Sequence, residues 1–130
     1  TREASEAQLI DAARGYALRF LRGGTTTVEA KSGYGLSLEH ELKLLRVIRR
    51  LNGFTAPQYV PTFLGAHEVP AELRGRADEY IRIVIEEMLP RVAQEKLASF
   101  CDIFCEPHVF DTAQARQILS QAKQLGFELR

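Results

Sequence analysis

Residues 25–51 read TTTVEAKSGYGLSLEHELKLLRVIRRL and hold a complete strand, loop and helix in succession. Thr25 to Ala30 is short and rich in β-branched residues, the composition of a strand. Lys31 to Leu36, with Gly33 and Gly35 one residue apart, reads as a turn. Ser37 is placed to cap a helix whose electropositive first turn carries Glu39 and Glu41. Leu38, Leu42, Leu45 and Ile48 then recur at helical spacing until Asn52-Gly53 stops the run.

The same alternation continues in both directions. Upstream, Ala4 to Leu21 sets Ala7, Ile10, Ala13, Ala17, Leu18 and Leu21 on one helical face, closed by Gly23-Gly24. Downstream, Tyr59 to Leu64 reads as a strand interrupted by Pro61, and a loop with Gly65 and Pro70 follows. A helix near Asp78 to Met88 is expected to end at Pro90, with a shorter helical piece over Val92 to Ser99. Phe100 to Cys105 reads as the third strand. Asp111 or Thr112 caps a last helix that Gly126 closes, and Phe127 to Arg130 resembles a strand beginning.

Helices between strands predict a parallel sheet with right-handed crossovers. Two architectures satisfy that pattern: a small doubly wound sheet, or a segment of a (β/α)8 barrel. An opening helix with no strand before it, and a closing strand with no helix after it, favour the barrel segment. The chain starts Thr1-Arg2-Glu3, without an initiating Met or an apolar leader. The expectation is therefore no signal peptide, and a true N-terminus lying upstream.

Composition narrows the function classes. Lys plus Arg equals Asp plus Glu at 17 each, so the formal net charge is zero. That balance argues against nucleic acid as a partner and against electrostatic attachment to membranes. No apolar run approaches the roughly 20 residues that span a bilayer. Cys101 and Cys105, placed in one strand, would lie about 13 Å apart and could not bond to each other. They read as reduced thiols of a cytoplasmic protein.

In either architecture ligands meet the loops after the C-terminal strand ends. The first such loop offers Lys31, Ser32 and Tyr34: a charge, a donor, and a hydroxyl with a ring face. It matches no phosphate-loop pattern, and a plain strand-to-helix turn is its other reading. The second offers His67, able to move a proton, bind metal or hydrogen-bond a carbonyl, or simply to bond the backbone. The third offers Glu106 as an acid, a base or an orienter of a neighbour. Cys105 has no base beside it in sequence, His108 follows a turn-forming Pro107, and His40 falls on the exposed helix face. With no H-x-H and no H-E-x-x-H, three scattered histidines do not complete a metal site.

Taken together, VEAKSGYGL at residues 28–36, PTFLGAHEVP at residues 61–70 and FCDIFCE at residues 100–106 resemble the imidazolonepropionase family of amidohydrolases. ELKLLRVIRRL and EEMLP fit the same family, and the resemblance is collinear over nearly the whole chain. It implies that residues 1–130 are an internal segment of one barrel domain, about strands 2–4 with helices 1–4. It implies hydrolytic opening of 4-imidazolone-5-propanoate to N-formimidoyl-L-glutamate, in histidine degradation. Tyr34 and His67 would contact that small-molecule substrate, with Lys31, Ser32 and Glu106 as supporting residues. The parent would be a cytoplasmic homodimer holding zinc or iron on ligands outside this chain, so the segment alone would be inactive. A related amidohydrolase such as a deaminase, or a free-standing α/β binding module, are the alternative readings.

Overall fold

The computed structural model describes residues 1–54 and 56–130. Helix α1 (Glu6–Arg22) precedes β1 (Thr27–Lys31), α2 (Leu38–Leu51) and β2 (Gln58–Ala66). A short 3-10 turn (Ala71–Leu73) leads to α3 (Ala77–Ile83), a π turn (Val84–Met88) and α4 (Leu89–Gln94). β3 (Phe100–Ile103), α5 (Thr112–Gln124) and β4 (Glu128–Leu129) follow.

Ser37 and Asp111 cap α2 and α5 as expected, and Ser5, which the sequence reading did not single out, caps α1. Ser5 with Gln8, and Asp111 with Gln114, form reciprocal capping boxes that satisfy N–H groups left open at a helix start. Of the two caps the sequence allows for the last helix, Asp111 is the one used. Asp111→Ala is expected to cost about 1 kcal/mol, read as a lowered urea midpoint.

The four strands among the described residues are all parallel and lie side by side in sequence order, β1-β2-β3-β4. A doubly wound sheet reverses its order at a switch point. Here every crossover steps in the same direction, so right-handed connections put all the helices on one face. This is the arrangement of a (β/α)8 barrel segment. The helix-side core holds Leu45, Phe63, Val84, Met88, Leu89, Cys101, Phe110 and Ile118, none more than 0% exposed. Strand alternation turns Glu29, Lys31, Thr62, Asp102 and Arg130 to the opposite face.

Several boundaries differ from the sequence reading. Pro90 does not end the third helix: α3 runs through the π turn into α4, with Pro90 in the first turn of α4. A π turn widens the backbone, which makes room for a ring that would clash with a regular α-helical carbonyl. The helical piece expected over 92–99 is therefore α4, ending at Gln94. β2 extends past Leu64 to Ala66, because Phe104 N–H still finds the Ala66 carbonyl at 3.0 Å. β3 in turn stops at Ile103, which leaves Cys105 outside it in a bridge to Phe110.

Candidate functional site

The C-terminal ends of β1, β2 and β3 lie side by side, and each is followed by a loop that begins within two residues. Ser32 knits the first loop to the second strand. It is 2% exposed; its N–H donates to the Thr62 carbonyl and its Oγ accepts from Leu64 N–H, both at 3.1 Å. Gly33 follows at φ +113, where a Cβ would stand 2.8 Å from the Leu64 carbonyl oxygen and 3.1 Å from His67 Cβ. Only glycine lets the two loops approach this closely.

That approach brings Tyr34 and His67 together. Their ring centroids are 4.9 Å apart at an interplanar angle of 76°, an edge-to-face contact. His67 Nδ1 lies 3.0 Å from the Gly33 carbonyl oxygen. A carbonyl can only accept, so Nδ1 carries the proton in the neutral ring and Nε2 is left as a free acceptor. Phe104, from the third loop, also meets the His67 ring edge-to-face, at 5.7 Å. Tyr34 is 69% exposed and Phe104 41%, so the three loops form an open aromatic corner with one imidazole at its centre.

Phe104 is a member that the sequence reading missed. The signal was a large apolar residue in the FCDIFCE stretch, placed at a strand's end and so past the core. Lys31 takes a different place from Tyr34. Its Nζ contacts Asp102 Oδ2 at 2.6 Å and Glu29 Oε2 at 3.6 Å on the sheet's open face. Glu29 also accepts from Thr62 Oγ1 at 2.7 Å and faces Arg130 Nε at 3.6 Å. The hydrogen bond to Asp102 raises the Lys31 pKa above its ordinary range, against a smaller opposing effect of burial.

Glu106 and His108 stand exposed in the turn between β3 and α5. Among the described residues neither forms a hydrogen bond or ion pair with Tyr34 or His67. His40 corrects an expectation: it is half-buried, and its Nδ1 is buried with no partner among the described residues. Its ring lines a cleft of about 450 Å³ with Arg2, Pro70, Leu73 and Tyr80. Those residues come from segments that helical periodicity within α2 does not reveal. No group of three His, Cys, Asp or Glu suited to a metal ion occurs among the described residues. None of the described helices is long and apolar enough to cross a membrane.

No protein-family model matches the chain. Its sequence is 58% identical over all 130 residues to an imidazolonepropionase of Solibacter usitatus. Identity is 50% to one of Clostridium tetani and 48% to one of Thermoanaerobacter pseudethanolicus, again over the whole chain. The chain belongs to the imidazolonepropionase family. It spans 31% of the length of these imidazolonepropionases, so most of their sequence lies outside the match.

The chain carries two free thiols of opposite character. Cys101 is buried and Cys105 exposed. Burial pushes the Cys101 thiol up to about 12, with Asp102 adding to the shift. A thiol reagent at pH 8 is expected to modify Cys105 quickly and Cys101 only on unfolding; fast labelling in a Cys105→Ser variant would refute this. The same shift has a stability consequence. A folded-state pKa raised above the unfolded value of 9.0 leaves stability complete below pH 9 and removes it as pH rises toward 12. Lys31 acts in the same direction above its unfolded value of 10.5. Urea midpoints are expected to stay level through neutrality and to fall above pH 9, with a later onset in Cys101→Ala.

Proposed function

We propose that this segment supplies one sector of the substrate pocket of a hydrolase that opens 4-imidazolone-5-propanoate to N-formimidoyl-L-glutamate in histidine degradation. The observation that carries the reading is the Tyr34–His67 pair at the strand ends, in a chain whose relatives are named imidazolonepropionase throughout its length. His67, held through Nδ1, accepts a hydrogen bond at Nε2 from a ring N–H of the substrate. Tyr34 offers its ring edge and hydroxyl to the same small, planar molecule. Ser32 supports them by fixing the loop to β2.

Residues 1–130 are then part of one barrel domain, closed by strands on both sides of this sheet. We place the parent in the cytoplasm as a homodimer, with Cys101 and Cys105 reduced. Activation of a water molecule is the chemistry that zinc or iron would supply to such a hydrolase if bound. The described residues do not fit that ion: no three donors converge, and His67 already spends Nδ1 on the backbone. The roles of Tyr34 and His67 do not pass through it.

The test is a full-length enzyme in which this segment replaces the corresponding 130 residues of the Solibacter usitatus relative. Formation of N-formimidoyl-L-glutamate is the expected result. A folded, metal-loaded chimera that hydrolyses a different cyclic amide, but not imidazolonepropanoate, would sink the substrate assignment.

A further inference from the structure

Glu41 is 0% exposed, although it lies in the first turn of α2, where a solvated acid is the ordinary occupant. Its carboxylate spans the first loop from beneath. Oε2 accepts from Gly33 N–H at 2.8 Å, while Oε1 accepts from Gly35 N–H at 2.7 Å and Leu36 N–H at 2.9 Å. These three amides flank Tyr34 on both sides. The loop rests directly on the helix start, since a Cβ on Gly35 would stand 2.6 Å from Glu41 N.

Arg2 grips the same loop by its carbonyls. Its Nε donates to the Gly35 oxygen at 2.7 Å and its guanidinium to the Leu36 oxygen at 3.3 Å. Arg2 is itself anchored, with Glu72 at 2.6 Å and its own carbonyl accepting from Lys43 Nζ at 2.6 Å. The amides are thus held from one side and the carbonyls from the other, leaving the Tyr34 side chain as the free element between them.

Burying a carboxylate is costly, and three charge-assisted hydrogen bonds offset that cost while fixing geometry narrowly. An apolar residue would serve the core of α2 without it. We propose that Glu41, with Arg2 opposite, is a positioning residue whose hold on the 33–36 backbone presents Tyr34 to substrate against His67. The inference rests on the reading of Tyr34 and His67 as substrate contacts.

A double-mutant cycle in the full-length enzyme tests it. Glu41→Gln keeps the shape but turns an amide N–H₂ group or a weaker oxygen toward the loop amides. It is expected to raise KM for imidazolonepropanoate about tenfold with kcat nearly unchanged, the signature of lost ground-state binding. In a Tyr34→Ala background, where KM is already raised, Glu41→Gln is expected to add nothing further. An effect that adds in full in that background, or that falls on kcat through lost folded enzyme, overturns the proposal. Tyr34→Ala with unchanged KM would instead sink the substrate-contact reading itself. Should Glu41→Gln fail to fold, Arg2→Ala reads the same loop from its carbonyl side: a rise in KM of about threefold that disappears with Tyr34→Ala supports the proposal. An Arg2→Ala effect that persists there overturns it.

Discussion

His67→Ala is expected to lower kcat/KM for imidazolonepropanoate about 100-fold in the full-length enzyme, the scale of a lost well-placed polar contact to reacting substrate. Two losses combine in this one change. The Nε2 acceptor disappears, and so does the Nδ1 contact to the Gly33 carbonyl, which ties the second loop to the first at 3.0 Å. The edge that Tyr34 packs against, at 4.9 Å, goes with it. His67→Asn can restore a bond to Gly33 but cannot place an acceptor at the Nε2 position, so it should recover little activity. His108→Ala is the matched control, because that histidine is exposed in the turn before α5 and forms no hydrogen bond with Tyr34 or His67 among the described residues. It should stay within about twofold. Steady-state kinetics with metal content measured in parallel would decide the matter, and a His67→Ala enzyme within threefold of the parent would remove His67 from the site.

The alternation of elements was legible in the sequence because each signal is local. Ser37 and Asp111 cap the helices that follow them, and the apolar stripes of α2 and α5 face the sheet. Tyr34 and His67 could be singled out because a parallel sheet directs its strand ends to one rim. Their meeting could not be read from spacing, since it depends on Gly33 lying against Leu64 and His67 across 31 and 34 positions. Glu41 shows the limit most clearly. By sequence it is one of two acids in a first turn, and nothing separates it from Glu39 except the loop folding back over it. Pro90 misled for a related reason, as proline ends a regular α-helix but not one widened by a π turn. The strand order that separates a barrel segment from a doubly wound sheet is likewise a property of the assembled sheet.

Phe63→Ala is expected to cost about 3–5 kcal/mol, the largest single loss of stability anticipated in this segment. Phe63 is fully buried on the helix side of β2 and pairs in register with Cys101 of β3. Deleting its ring forfeits the burial of an aromatic side chain and leaves a void between two central strands, where the sheet backbone can relax only slightly. A loss of that size approaches the whole stability of an ordinary domain, so a low soluble yield and an early urea midpoint are both expected. The ring also fills the space above Gly65: a Cβ there would stand 2.3 Å from Phe63 Cζ. Gly65→Ala alone should therefore destabilise by overpacking, by about 1–3 kcal/mol. Combined with Phe63→Ala, the same methyl enters the void, and the two changes should cost less together than the sum of their separate effects. Strict additivity in the urea midpoints of the four proteins would contradict the packing of Phe63 over Gly65. That contact matters to the site as well, because the Gly65 carbonyl accepts the Tyr80 hydroxyl at 2.7 Å just before the chain turns out to His67.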